Sequence, residues 1–347
     1  MGAPDDAPRY GIVMLSALGD AVHVLAIASA IKRARPGARV SWVMQPGLAP
    51  FVAGHPAVDE TIVFERAKGL RGYAELGRGS RGRRFDAVLV LQPYLKSALV
   101  ARLLRADVRI GLGRDRARDL AWLLYDRRLP RGPVKHIQDT YAEFLAPLGV
   151  PHEPVVWNVG PWQHERARQR EFFSTMTAPA AAIVVGTSKP QKDWPAERWA
   201  EVVDRLHAEH GLQAVLVGGR SPRELAAEAV ITARARHRPV SALGSGLRRL
   251  VAILDGAALV LSPDTGPLHL AVALDRPVVS LVGYSHPGRV GPYRRFHDLL
   301  IDAYHDPGEP PTPPSMAHRS GRMERITVEQ VMEKVRVWAA RYRDASR

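Results

Sequence analysis

The sequence predicts an α/β protein of two Rossmann-like, doubly wound parallel-sheet domains, and three observations predict it. Short apolar runs alternate with stretches whose apolar residues recur at helical spacing, the pattern of buried strands joined by amphipathic helices. The alternation runs once before and once after a proline-bearing stretch, Pro147 to Val159. The chain has 347 residues, 46% of them apolar, enough for about two domains with separate cores. Such sheets are covered by helices on both faces and bind ligands beyond the carboxyl ends of their strands.

In the first half, Gly11 to Leu15 reads as a buried strand. Ser16-Ala17-Leu18-Gly19-Asp20 follows, then a helix with Val24, Ile27, Ala28 and Ile31 at its apolar positions, stopped by Pro36-Gly37. Val40 to Met44, Thr61 to Phe64 and Asp86 to Leu91 give three more strands, while the basic, glycine-rich run Arg66 to Arg84 predicts no clear element. Gly19 and Asp20 stand at the carboxyl end of the first strand, where position alone leaves Asp20 readable as a helix cap or as a ligand-facing acid. Gln92 to Ser97 follows the fourth strand and opens a helix from Ala98 to Leu104. Lys96 is a candidate for an acidic sugar or a phosphate, against the plainer reading of a solvated lysine. Arg81, Arg83 and Arg84 form a second basic cluster, suited to acidic acceptors because a planar guanidinium bonds two oxygens at once. His136 to Leu148 reads as an amphipathic helix with Ile137, Tyr141 and Phe144 facing the core.

The second half restarts the alternation at Ala181 to Val185, which leads into Gly186-Thr187-Ser188-Lys189-Pro190-Gln191-Lys192-Asp193-Trp194-Pro195 and a helix from Ala196 to His210. Hydroxyls and ammonium groups at a strand's carboxyl end suit a diphosphate. Gln213 to Gly219, Val240 to Leu243, Leu259 to Leu261 and Val278 to Val282 are the further strands. Helices run from Arg223 to Ala235 and along the stripe Leu247, Leu250, Val251 and Leu254. Gly244-Ser245-Gly246 forms a loop that a base can approach. After Leu261 the chain reads Ser-Pro-Asp-Thr-Gly and then a helix. The amides of Asp264, Thr265 and Gly266 thus fall at a helix N-terminus, where unpaired N–H groups and the helix dipole favour phosphate. The same residues also serve as ordinary caps and turns. Residues 305–322 hold several prolines and predict an extended or disordered loop. Ile326 to Tyr342 is a strongly amphipathic helix with Thr327 as its cap and Glu329 nearby.

The division expected is a disordered leader over 1–9, a first domain over 10–150, and a second over 151–325 with a linker at 151–165. A final helix occupies 326–347. No run is apolar and long enough to span a membrane, and residues 1–9 lack an export core. Cysteine is absent, which excludes disulfides and thiolate chemistry and suits a cytoplasmic enzyme. The formal charge is +14, and residues 1–150 carry 23 Lys and Arg against 14 Asp and Glu. This surplus suggests an anionic partner or membrane surface, or simply a solvated arginine-rich exterior. No helix-turn-helix, zinc spacing or base-stacking motif speaks for nucleic acid. No D-x-D pair or His-Asp cluster has convincing metal-ligand spacing.

Three strings carry a family resemblance: L-G-D-A-V-H-V-L from Leu18, T-S-K-P-Q-K-D-W-P from Thr187, and D-T-G-P-L-H-L-A-V-A-L-D-R-P-V-V-S-L-V-G from Asp264. The chain resembles glycosyltransferase family 9, the bacterial heptosyltransferases, and its second string looks closest to the heptosyltransferase I subgroup. The resemblance implies a GT-B fold, with the two domains facing across a cleft and a last helix that can cross back to the first. It implies that Asp20 is the general base and that Lys192 neutralises the departing diphosphate with Thr187, Ser188 and the Asp264 loop. His269 is placed to reach the phosphate. The family often sets an acid after the glycine pair to hold the ribose, and Glu224 is the only acid near. The region of Gly19, Gln92 and Lys96 would face the acceptor. Family members often carry cysteines in the proline-rich segment; this chain has none.

The function expected is metal-independent, inverting transfer of heptose from ADP-heptose to a lipopolysaccharide inner-core acceptor, Kdo or heptose. The expected enzyme needs no cofactor, acts as a monomer, and works at the inner face of the inner membrane as a peripheral protein. A nucleotide-sugar epimerase of the same fold and a non-catalytic anion- or nucleic-acid-binding protein are the rivals.

Overall fold

The structure, a computed structural model, describes residues 7–343. The expected leader therefore lies outside it up to residue 6, and Arg9 already opens a strand. The chain forms two units. The first holds the chain up to Pro133 together with Ile137–Asn158; the second holds Val134–His136 and the chain from Val159 on.

In the first unit β1 (Arg9–Val13), α1 (Leu18–Ala34), β2 (Arg39–Met44), α2 (Ala49–Val52) and β3 (Glu60–Val63) follow in turn. Then come α3 (Leu70–Gly79), β4 (Arg84–Val90), α4 (Leu95–Arg102), β5 (Arg105–Gly111), a two-residue β6 (Arg127–Arg128) and α5 (Ile137–Ala142). All the strands run parallel, in the order β3-β2-β1-β4-β5-β6. The chain winds outward from β1 to β3 and then returns to the other side of β1 for β4. The loops after β1 and β4 therefore depart in opposite directions and leave a crevice at the carboxyl ends between them.

Helix α1 is enclosed on nearly every face, with every residue from Ala21 to Ile31 buried. The opposite face of the sheet is covered by α3, α4 and a short 3-10 turn, Ala121–Leu124. Their Leu76, Ala98, Ala101, Leu104 and Ala121 join Val13, Val88 and Val90 in one apolar cluster. Residues 66–84, which periodicity leaves unassigned, thus contain a helix whose buried side is only Gly72 and Leu76. The stretch His136 to Leu148 is α5 followed by a 3-10 turn, Glu143–Leu148, rather than one continuous helix, because Pro147 falls inside it.

The second unit contains α6 (Arg166–Ser174), β7 (Ala180–Val184), α7 (Ala196–His210), β8 (Gln213–Val217), α8 (Pro222–Arg234) and β9 (Val240–Ser241). It continues with α9 (Leu247–Gly256), β10 (Leu259–Pro263), α10 (Gly266–Ala273), β11 (Val278–Val282), α11 (Pro287–Val290), β12 (Leu300–Asp302) and α12 (Val328–Arg341). The parallel sheet has the order β12-β11-β10-β7-β8-β9, so winding reverses between β7 and β10.

Helix α12 belongs to this unit. Trp338 is fully buried on it and donates its indole N–H to the carbonyl of Ala258 at 3.1 Å. Its cap is Thr327, as expected, but the reciprocal partner is Gln330, not Glu329: the Thr327 hydroxyl accepts from the Gln330 amide and the Gln330 side chain from the Thr327 amide. Residues 305–322 form an extended loop, and ion pairs order it. Arg319 bonds both oxygens of Glu309 at 2.8 Å, and Arg322 and Arg325 converge on Asp306. The guanidinium of Arg319 holds Glu309 down to about 2. The Arg319 amide donates to Tyr284 at 2.9 Å, and Ser285 and His318 form an antiparallel bridge.

Candidate active site

Each unit places one set of candidate residues at its own winding-reversal point. In the first, Asp20 lies in the first turn of α1, directly past β1. One carboxylate oxygen accepts the Ala17 amide at 3.2 Å, and the other accepts the hydroxyl of Tyr141 at 2.7 Å. The carboxylate thus takes one donor from its own helix turn and one from a side chain far along the sequence. The cap reading and the ligand-facing reading are thus compatible, because the side chain is half-buried and not packed away.

Gln92 is buried across the same crevice. Its carbonyl oxygen accepts the Leu15 amide and the Ser97 hydroxyl at 3.0 Å each, and its amide donates to Ser16 at 2.5 Å. It ties the loop after β1 to the loop after β4 and so sets where Gly19 and Asp20 stand. Lys96 is half-buried on α4, 4.9 Å from the Tyr94 ring centre. Burial, and then the charge of Arg66, lowers its pKa against the opposing pull of Asp119.

The expectation that Arg81, Arg83 and Arg84 join these residues is corrected by the sheet. Arg84 begins β4 at its amino end, whereas Gln92 and Lys96 follow its carboxyl end, a strand's length of roughly 20 Å away. Arg83 is spent on Glu60 and Arg84 on Asp107, and Arg81 is exposed at that far end.

In the second unit the loops after β7 and β10 meet at the winding reversal. Lys192 closes a 3-10 turn, Pro190–Lys192, and its ammonium donates to the Asp264 carboxylate at 2.5 Å and to the Asp264 carbonyl at 3.4 Å. Both side chains are largely buried. The Trp194-Pro195 pair anchors this turn: Trp194 packs edge-on against Trp199 at 4.6 Å and donates to the Ile326 carbonyl at 3.0 Å. Thr187 is held by Asp193, which accepts its amide at 2.9 Å and lies 2.7 Å from its hydroxyl, and Arg223 grips both Asp193 and the Thr187 carbonyl. Ser188 is exposed beside it.

Thr265 caps α10, and Gly266 is its first residue; Pro267 behind them has no N–H to offer. His269, one turn on, is buried. Burial above all, and then the charges of His136, Lys192 and Arg289, push it down to about 3. Its imidazole therefore stays neutral at ordinary pH.

Glu224 lies over the carboxyl ends of β7 and β8. A side chain on Gly186 would meet its Cγ at 2.4 Å, and one on Gly218 its Oε1 at 2.8 Å, so these glycines make room for it. It accepts the amides of Gly219 at 2.6 Å and Ser221 at 2.9 Å. Burial raises its pKa, but the hydrogen bonds from Ser221 and Gly219 and the charge of Arg223 outweigh burial and lower it. Ser245 is half-buried and adjoins Gly244, whose amide bonds the Gly218 carbonyl at 3.0 Å, so it shares this end of the sheet. Among the described residues no group of three or more His, Cys, Asp and Glu could hold a metal ion.

Residues 73–305 match the model of glycosyltransferase family 9 (heptosyltransferase). The chain belongs to that family. It is a glycosyltransferase, which moves a sugar from a nucleotide-sugar donor to a saccharide acceptor. This family 9 chain is 32% identical to lipopolysaccharide heptosyltransferase 1 of Pseudomonas aeruginosa, over 83% of its own length and 82% of the relative's. It is 28% identical to the lipopolysaccharide core heptosyltransferase OpsX of Haemophilus influenzae, over 87% and 86%. Its fold matches the Escherichia coli heptosyltransferase WaaC solved with ADP, at a TM-score of 0.74 and 25% identity over 95% of this chain and 99% of that one. It also matches a family 9 glycosyltransferase of Veillonella parvula, at 0.80 and 23% over 97% and 98%. The two Rossmann-like units are thus those of a GT-B enzyme, as expected.

Sequence reasoning missed three side chains that lie beside candidate residues, one in the first unit and two in the second. Tyr141 reads as a core aromatic, and it is buried, but its hydroxyl end reaches Asp20 across 121 positions of sequence. Tyr284 and His318 stack at 4.6 Å, and burial first, then the charges of Lys189, Arg289 and Lys192 against that of Asp264, lower the pKa of His318. Only the ordering of the proline-rich loop brings His318 there, and no local pattern announces it.

Proposed function

We propose that this family 9 enzyme transfers heptose from ADP-heptose to a lipopolysaccharide inner-core sugar, with inversion and without a metal ion. The observation that carries the reading is the Lys192–Asp264 pair at the winding reversal of the second unit, beside the N-terminus of α10. It sets a cation and helix-end amides where a doubly wound sheet receives a diphosphate. The names of the relatives and the ADP complex of the WaaC structure support the donor.

In the reaction, the acceptor hydroxyl oxygen forms a bond to the anomeric carbon while that carbon's bond to the diphosphate oxygen breaks. Asp20 takes the hydroxyl proton, a role worth on the order of a hundred- to ten-thousand-fold. Tyr141 keeps its carboxylate oriented, and Gln92 keeps its loop in place. ADP leaves with an added negative charge, which Lys192, Ser188 and the amides of Thr265 and Gly266 stabilise. Asp264 holds Lys192 in position before the donor arrives, and Glu224 and Ser245 lie where ribose and base would be held. A single displacement inverts the anomeric centre. A lipid-linked acceptor brings the enzyme to the cytoplasmic face of an anionic membrane, and one copy of the chain carries every residue named.

The test supplies ADP-heptose with and without an inner-core acceptor and follows ADP release and the anomeric configuration of the product. Release that depends on the acceptor, with inversion, supports the proposal. An isomerised donor in the absence of acceptor makes the protein an epimerase, and undiminished transfer in a chelator-free, metal-supplemented buffer that collapses with EDTA restores a metal.

A further inference from the structure

We infer that the outer surface of the α3, α4 and Ala121–Leu124 layer of the first unit docks on an anionic lipid bilayer. The inference deepens the reading above, since it rests on the acceptor being lipid-linked. Nine large hydrophobic side chains stand exposed among the described residues, and seven of them fall within residues 65–128. Leu95, Leu99 and Leu103 lie four positions apart on and just beyond α4, forming one outward stripe. Leu70 is 87% exposed at the start of α3, and Leu120 and Leu123 are 63% and 53% exposed at the 3-10 turn packed beside α4. These helices and the turn cover one face of one sheet, so their outward sides belong to a single layer.

The charge on the same layer selects the partner. Outside the strands, residues 65–83, 95–104 and 112–126 hold eleven Lys and Arg against five Asp and Glu, a surplus of six, although Arg83 is paired with Glu60 and Arg116 with Glu143. Several of the acids are already matched, Glu75 by Lys68 and Arg71 and Asp126 by Arg102 and Arg109. Arg114 and Arg128 lie 5.5 and 5.2 Å from the ring centre of half-buried Trp122, between Leu120 and Leu123 in sequence. Aromatic and leucine side chains with arginines at their margin match the boundary between acyl chains and anionic headgroups. A soluble acidic protein would pair with the arginines but leave the leucine stripe without a role. The layer also adjoins Lys96, so a bilayer on this face would bring the headgroup side of a lipid-linked sugar next to the acceptor candidates.

The test is co-sedimentation of the full chain with vesicles of phosphatidylcholine, with and without phosphatidylglycerol, at low and high salt. Binding is expected only with phosphatidylglycerol and is expected to weaken as salt rises. Leu99→Ser with Leu103→Ser should cut partitioning by about tenfold or more at any salt. Arg114→Gln with Arg128→Gln should cut it by roughly fivefold per arginine at low salt and little at high salt. Both double variants should keep the parent's melting temperature and its stabilisation by ADP, because the positions are exposed and outside the donor candidates. Indifference of the parent to phosphatidylglycerol, or leucine variants that bind within twofold of it, overturns the inference. So does binding to DNA in place of vesicles. A protein that transfers heptose to a soluble acceptor yet ignores vesicles sinks this surface alone, while vesicle binding without ADP stabilisation sinks the transfer reading.

Discussion

Replacing Lys192 by Gln removes the cation proposed to meet the diphosphate and leaves Asp264, a buried carboxylate, without its charged partner. Breaking a buried pair from one side costs about 3–5 kcal/mol, and the partial exposure of Lys192 argues for the lower end, about 3 kcal/mol. For a unit of this size that lowers the melting temperature by roughly 5–10 °C. Asp264→Asn keeps an oxygen for the ammonium to bond and should cost less. The double variant should recover about half of the Lys192→Gln loss, since no orphaned charge remains. Binding separates the two residues further. Lys192→Gln gives up a charge-assisted hydrogen bond of about 1.5–3 kcal/mol to the diphosphate, so ADP should bind roughly ten- to a hundredfold more weakly. Asp264→Asn removes a negative charge from the same place, and ADP should bind as well or better. Thermal melts and titration calorimetry of the four proteins, each with and without ADP, measure all of these. An ADP affinity in Lys192→Gln within threefold of the parent would refute the phosphate role, and strictly additive stability changes would refute the coupling.

Asp20→Asn keeps an oxygen for the Ala17 amide, with the Tyr141 hydroxyl turned to accept from the new amide, but cannot take a proton. Steady-state assays should show kcat reduced by about a hundredfold or more, with ADP binding unchanged by calorimetry. Tyr141→Phe removes one of the two donors to that carboxylate and should lower kcat by less than Asp20→Asn does. His269 is depressed to about 3 in the fold against an ordinary 6.5, so the unfolded chain binds the extra proton. Its contribution to stability is intact above 6.5 and is lost as pH falls through that window, by up to about 1.4 kcal/mol per pH unit. Denaturant melts of His269→Gln between pH 4 and 6.5 should show a flatter dependence than the parent. Glu224→Gln keeps much of the capping geometry, and if the acid holds a ribose hydroxyl the variant should lose its preference for ADP over a 2′-deoxy analogue.

Much of the fold is legible because its strands are buried on both faces. Runs such as Val278–Val282 and Leu259–Pro263 are apolar throughout and are bounded by loop residues, and the observed strands agree with the expected ones within a few positions. The strands that sequence reading passes over are β5, β6 and β12, which are polar, short or at an edge. Their place is set by pairing with a neighbour, which periodicity does not report. The proline-rich loop is a similar case: its order comes from Arg319, Arg322 and Arg325 finding Glu309 and Asp306, side chains ten to nineteen positions away.

The sequence by itself determined the strand-and-helix alternation, the family, and the loops that carry Asp20, Lys192 and Asp264, because those depend on local propensity and on motifs contiguous in the chain. Tertiary structure decided which of these side chains have partners. It gave Tyr141 to Asp20, Asp264 to Lys192 and the glycine-lined recess to Glu224, it turned Gln92 into a tie between loops, and it carried Arg83 and Arg84 to the wrong end of β4. The physical reason is that a parallel sheet fixes which end of every strand a loop leaves from, and contacts between loops at that end join residues that are distant in sequence.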